Sequence, residues 1–384
     1  TYPDNKQVTY QYYKDNRLKT VTDWNNRVTA YEYYPNGLLY KTTRPDGSVQ
    51  TVYYDDAYQL LKLEDKDRNG NVICKYDYTY TVNREVYKEI PDIPQQTFSL
   101  SEPVVTTGPD NRTATYNGQE IRYDEDGNME HGPLNGTMAD FTFDARGRLT
   151  IAGGTSYTYD AEGNRIAVTE GGSQTSFVID PNAALSRVLI KTDASGNQTY
   201  YVYGLGLIGQ EENGAYKTYH YDLRGSTVAL TDQNGNVTDT FQYSAYGDLV
   251  HRTGSTSTPF MFNGHDGVMT DANGLIYMRA RYYNPELRRF LSKDPVVGSI
   301  VNPQSLDAYG YCENDPVNRI DPSGEAFIKD FMKNMQASVN AAPGMWRASC
   351  AAAPEMLQAS YQEIDPYVSA TWNFIEPDEG DMAW

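Results

Sequence analysis

Tyr159-Asp-Ala-Glu-Gly-Asn-Arg165 spells a strand end, a tight turn and a strand start. Glycine and the Asx residues supply the positive φ that tight hairpin turns need. The pattern returns as Tyr123-Asp-Glu-Asp-Gly-Asn-Met129, Phe143-Asp-Ala-Arg-Gly-Arg-Leu149 and Tyr221-Asp-Leu-Arg-Gly-Ser-Thr227. Looser copies begin at Tyr13, Tyr34 and Tyr54, spaced 21 and 20 residues. A barer Asp-x-x-Gly recurs at Asp193–Gly196, Asp232–Gly235 and Asp271–Gly274, its glycines 39 residues apart. A period near 20 predicts one supersecondary unit per repeat, stacked into an extended array. The flanks alternate, as in Val49-Gln-Thr-Val-Tyr-Tyr54 and Tyr200-Tyr-Val-Tyr203, and Tyr, Val and Thr suit half-buried pleated surfaces. Tyrosine can bury its ring and keep its hydroxyl bonded. The expected fold is therefore mainly β, built of antiparallel hairpins.

Working outward, the 384 residues divide by composition. Of 34 tyrosines only Tyr361 and Tyr367 lie beyond Gly324, and of 31 glycines only Gly344 and Gly380 do. The tail carries eleven alanines instead and reads as helix. Phe327, Phe331, Met335 and Val339 recur every four residues, the spacing of an amphipathic helix, until Pro343 interrupts; a second helical stretch is expected near 350–363. Residues 88–112, with Pro91, Pro94, Pro103 and Pro109, lack the repeat and are expected to be an irregular crossing segment or a linker. Thr1 begins the chain without a charged-then-apolar leader, so a processed piece of a longer polypeptide is expected.

The charge balance, 32 basic against 51 acidic residues and a net −19, argues against a nucleic-acid groove, which needs clustered Lys and Arg. The same balance argues against a basic membrane-surface protein. Cys74, Cys312 and Cys350 are far apart, and His131, His220, His251 and His265 form no metal-ligand spacing, so no metal and no cofactor is expected. Asp65-Lys-Asp-Arg-Asn-Gly70 opens like a calcium loop, but Tyr76 stands where the bidentate Glu belongs, and an Asx-rich turn is the better reading. Gly204-Leu-Gly-Leu-Ile-Gly209 is a GxGxxG string without a following βαβ unit, read as a glycine-bent strand. His265, in Phe262-Asn-Gly-His-Asp-Gly267, reads as part of another turn.

The stretch 277–325 is different. Arg279, Arg281, Arg288 and Arg289 crowd together, and Asp294-Pro295, Asp315-Pro316 and Asp321-Pro322 follow. Proline restrains its own φ and the residue before it, so each carboxylate is held beside a defined backbone. Two carboxylates brought close do not both ionise, which yields a general acid and a general base for water attack on a peptide bond. A nearby Arg could lower one carboxylate's pKa or polarise the scissile carbonyl. Asp-Pro is also a common turn opener.

With these residues the chain resembles the RHS (rearrangement hotspot) family, whose YD repeats match the Tyr-Asp turns. Residues 219–325 resemble the RHS repeat-associated core domain. The matching motifs include Phe262-Asn-Gly264, Arg279-Ala-Arg-Tyr-Tyr283, Arg289-Phe-Leu-Ser292, Asp294-Pro295, Tyr309-Gly-Tyr311, Pro316-Val-Asn318 and Asp321-Pro-Ser-Gly324. The family is similar to the C components of bacterial ABC toxin complexes and to the YD shell of animal teneurins. The resemblance implies a spiralling β-shell around a variable C-terminal peptide, with a core domain that acts once on its own chain as an aspartyl protease, cutting after the DPxG motif. Carried over by position, the catalytic pair is Asp294 and Asp321, and the cut falls between Glu325 and Ala326; Arg289 and Lys293 lie close enough in sequence to be expected as supporting charges. The implied organisation is a hairpin array over 1–218, the core domain over 219–325 and a cargo or pre-toxin tail over 326–384. Implied partners are the enclosed tail, missing N-terminal shell repeats, and an immunity protein or delivery apparatus; the implied location is secreted or at the cell surface. Arg288 stands where the family has Gly, Asp315 where Asn is common and Glu325 where Leu is common. The alternative function is a non-enzymatic surface scaffold that keeps its tail.

Overall fold

The computed structural model describes residues 1–93, 102–296 and 298–325, with the backbone of Ile328–Lys329. The expected helices of the tail, Ala326, and the middle of the 88–112 segment lie outside the described residues; Ile328–Lys329 is extended rather than helical.

The described chain is β throughout, with short 3-10 turns. Eight strands from Thr9–Tyr12 to Val86–Asp92 form one antiparallel sheet, and fourteen from Arg122–Tyr123 to Leu249–Thr253 form a second. In both sheets every strand pairs with its neighbour in sequence, the topology that a run of hairpins dictates. The second sheet runs unbroken through Ala215–Tyr221, so the division expected at 218/219 is not a break in the backbone pairing. The segment expected to be irregular begins as the regular edge strand Val86–Asp92. Pro91 is tolerated there because an edge strand leaves one side of its backbone unpaired. A small three-stranded sheet over 105–120 then leads into the second meander.

The turns carry out the pattern in the sequence. At Asp160 the backbone N–H bonds the Asn164 carbonyl (3.0 Å), and Asp160 Oδ1 accepts from Asn164 N (2.7 Å). Gly163 closes the turn at φ +95°, and the register shifts at Tyr159. This is a type I turn ended by a glycine bulge. Asp124, Asp193 and Asp232 repeat it with Asn128, Asn197 and Asn236. The calcium-like string is the same device: Asp67 Oδ1 accepts from Asn71 N (2.8 Å), while Asp65 is buried in a strand against Arg44. Gly204–Gly206 is a turn between two strands, and a Cβ on Gly206 would sit 2.2 Å from the His265 ring.

The tyrosines close what the hairpins leave open. In a meander, each pair of strands is joined at one end only. At the other end the tyrosine before the turn donates its hydroxyl to a carbonyl at the start of the preceding strand. Tyr159 reaches Leu149 O (2.6 Å), Tyr203 reaches Val188 O (2.9 Å), Tyr221 reaches Leu207 O (2.8 Å), and Tyr243 reaches Thr227 O (3.0 Å). Tyr33 and Tyr80 do the same in the first sheet, toward Leu18 O and Leu60 O.

The two sheets pack on each other. Val52, Leu60, Leu63 and Tyr76 meet Leu223 and Val228, and Leu18, Val21 and Tyr31 meet Val202, Ile208 and Tyr216. Residues 254–325 form short strands, including Ile276–Met278, Arg281–Asn284 and Arg289–Phe290, and dock on the second sheet through Tyr277, Tyr282 and Leu291. Arg165 fixes this docking: fully buried, it pairs with Asp271 (2.6 Å) and lies over the Tyr277 ring.

Candidate active site

Arg281 organises the site. It sits on Arg281–Asn284, which pairs with Ile276–Met278 on one side and Arg289–Phe290 on the other. Its guanidinium is buried and stacks on Phe290, 3.6 Å from the ring centroid. Nη2 contacts Asp294 Oδ2 at 2.7 Å and Asp321 Oδ2 at 3.6 Å. The two carboxylates expected as a pair are therefore brought together on one nitrogen. Nε donates to the Gly324 carbonyl and Nη1 to the Ala308 carbonyl (3.2 Å).

Each Asp-Pro step does what the restraint on its backbone implies. Asp294 Oδ1 accepts from Val296 N (2.8 Å), and Asp294 N donates to Ala308 O (2.8 Å). Asp321 Oδ1 accepts from Ser323 Oγ (3.0 Å) and Gly324 N (2.8 Å), which folds the DPSG stretch back over its own carboxylate. Burial pushes the Asp294 carboxyl above its ordinary value, and Asp321 adds to this while Arg281 opposes it. Burial pushes the Arg281 guanidinium down, and the two carboxylates support it.

Three successive donors grip the DPSG backbone. Arg279 Nη1 donates to Pro322 O, Ala280 N to Ser323 O (3.1 Å), and Arg281 Nε to Gly324 O. Beyond Glu325 the chain is gripped again, because Ile328 and Lys329 pair antiparallel with Ile320 and Arg319. The Glu325–Ala326 bond lies between these two grips in sequence.

The proposed supporting charges go elsewhere. Arg289 pairs with Asp307 (2.5 Å) and donates to Asn111 O (2.6 Å). Lys293 lays its stem over Gly127. Sequence spacing placed the supporting cation next to Asp294, whereas the adjacent strand supplies it from thirteen residues upstream. The RAR string was the available signal. Arg279 lies in the turn between Ile276–Met278 and Arg281–Asn284, Arg281 opens the second strand, and both reach the DPSG loop. Arg279 adopts φ +62°, outside strand geometry, and also donates to Ser186 O (2.9 Å) and Asp266 O (2.6 Å). Arg288 adopts φ +58°, which is the physical reason for glycine at that place in the related motif. Asp315 accepts from Asn318 Nδ2 (2.9 Å), a role Asn could share. His265 packs its ring against Tyr221 and bonds Asp266 (3.0 Å).

The comparisons agree with this architecture. The family model for the Teneurin YD-shell matches residues 75–317. The tRNA3(Ser)-specific nuclease WapA of Bacillus spizizenii is 32% identical over 282 residues, which is 71% of this chain and 12% of that protein. Double-stranded DNA deaminase toxin A of Burkholderia cenocepacia is 25% identical over 311 residues, 78% of this chain and 21% of that protein. The chain thus spans about an eighth to a fifth of the length of these relatives. Among solved structures, the TcdB2-TccC3 complex aligns with a TM-score of 0.58 at 15% identity, over 83% of this chain and 22% of that one, a likeness of fold. Meander, Tyr-Asp turns and matched sequence converge, and the chain belongs to the Teneurin YD-shell family.

Proposed function

We propose that this chain is the C-terminal part of an RHS-type shell that encloses its own tail, 326–384, and frees it by a single aspartyl cut between Glu325 and Ala326. The observation that carries the reading is the meeting of Asp294 and Asp321 on Arg281 while Arg281 also holds Gly324 O. A water between the carboxylates attacks the Glu325 carbonyl. Asp321 takes the water's proton, and Asp294, whose carboxyl burial favours the protonated form, gives a proton to the departing Ala326 nitrogen. Arg281 positions the strand through the adjacent carbonyl. The partners in this reading are the tail, upstream shell repeats, and an immunity protein or delivery apparatus. The setting is secreted or cell-surface, in keeping with the toxins among its relatives.

The second reading is a non-enzymatic scaffold. It is favoured by the guanidinium itself, which contacts both carboxylates as in a structural ion-pair cluster. Intact mass of the purified chain, beside Asp294→Asn and Asp321→Asn, separates the two. Self-cleavage predicts a wild type split after Glu325 and two whole variants. A wild type that stays whole from mildly acidic to neutral pH leaves the scaffold.

A further inference from the structure

We propose that the apolar tip of the loop after Asp294 is the docking surface for the start of this chain's own tail, residues 330–340. The proposal deepens the cargo reading above and rests on it.

The loop is built, not slack. Val296 N bonds Asp294 Oδ1 (2.8 Å) at its root. Ser299 N donates to Ser305 Oγ (2.8 Å), Asn302 N to Ser299 O (3.0 Å), and Ser305 N to Asn302 O (3.0 Å). Gly298 packs so closely that a Cβ there would lie 2.0 Å from Ser305 O. Asn302 Nδ2 is tied to Glu313 Oε1 (2.5 Å). Yet this internally bonded loop presents Ile300 at 85% and Val301 at 73% exposure, flanked by the half-exposed Val296 and Leu306. Clustered apolar side chains on an ordered tip mark an interaction surface.

What reaches it is set by where the chain goes next. Lys329 pairs with Arg319, Arg319 is bonded to Glu313 Oε2, and Glu313 Oε1 holds Asn302, the neighbour of Val301. The tail therefore sets out one ion pair and one hydrogen bond from the tip. The residues that follow carry Phe331, Met335 and Val339 at a spacing of four, an apolar stripe of matching chemistry. Docking there places the cargo on the loop whose root orients Asp294.

The test uses the full chain with Asp321→Asn, in which the tail stays attached whether or not the wild type cuts itself. A failure of the protease reading therefore cannot be mistaken for a failure of docking. Amide hydrogen exchange is followed across 298–306 in this chain and in the same chain with Phe331→Asp and Met335→Asp. Docking predicts exchange at least about tenfold slower with the apolar tail. Equal exchange overturns the proposal. Protection that persists with the acidic tail and grows with protein concentration also overturns it, assigning the tip to a second copy. The reciprocal change, Ile300→Asp with Val301→Asp at solvent-exposed positions, must speed exchange in 330–340 by a like factor; unchanged exchange there overturns the proposal as well.

Discussion

Gly324 has no room for a side chain. It adopts φ +72°, and a Cβ would lie 2.4 Å from Met278 O and 3.0 Å from Arg281 N. Gly324→Ala is expected to strain the backbone by about 1–3 kcal/mol and to move Gly324 O off Arg281. Cleavage followed by intact mass over time should slow at least about tenfold. Under the proposed acid role, Asp294 sets the pH dependence. Its carboxyl is raised by burial, and its assigned role needs the proton, so the rate should fall as pH rises through its pKa, by about tenfold per unit above it. Faster cleavage at pH 8 than at pH 5 would remove Asp294 from the acid role. Arg288 offers the opposite kind of change. Its φ of +58° costs a non-glycine residue about 1–2 kcal/mol, and glycine returns about 0.5–1 kcal/mol as lost chain entropy. Arg288→Gly should therefore raise stability by up to about 1 kcal/mol in urea unfolding, beyond the small loss of its exposed pair with Glu102.

The hairpin repeat joins two devices, an Asp that accepts across the turn and a Tyr that closes the opposite gap. Tyr159→Phe keeps the ring and removes the hydroxyl's bond to Leu149 O, so a loss of about 1 kcal/mol is expected. A denaturation midpoint unchanged from wild type would show the hydroxyl to be incidental. The turns were legible because Asp and Gly act within five residues, where chain connectivity leaves little choice. The edge strand Val86–Asp92 was not, because Pro91 reads as a breaker, and only its place at the sheet margin makes it acceptable.

Between the sheets lies a buried polar group that no local pattern announces. Arg44 and Asp65 of the first sheet pair with each other, and His220 of the second lies 3.5 Å from Asp65. Burial raises the Asp65 carboxyl, but Arg44 and then His220 outweigh it and hold the carboxyl well below its ordinary value. A depressed carboxylate contributes stability that is present above the unfolded-state pKa and lost as pH falls below it. Wild-type stability should thus fall steeply below about pH 4, and Asp65→Asn should lose that part of the slope. At neutral pH the same change leaves Arg44 buried without its partner and should cost about 3–5 kcal/mol. Urea unfolding from pH 3 to 7 checks both statements; parallel curves for the two proteins would show that Asp65 is not the linked group.

The repeats and the β class could be read from the chain because they rest on short-range turn geometry, whereas Asp294 and Asp321, 27 residues apart, were matched only through the ordered motifs of the RHS core. Turn chemistry is local, and Asp-Pro restrains its own backbone. Which cation serves the carboxylates could not be read. Arg289 is nearer in sequence, but the antiparallel pairing of Ile276–Met278, Arg281–Asn284 and Arg289–Phe290 sends it to Asp307 and brings Arg281 to the site. Register between strands decides that outcome, and register is set by packing across the sheet rather than by distance along the chain. The same holds for Arg165 and Asp271, which are 106 residues apart and become partners only once residues 254–325 dock on the second sheet.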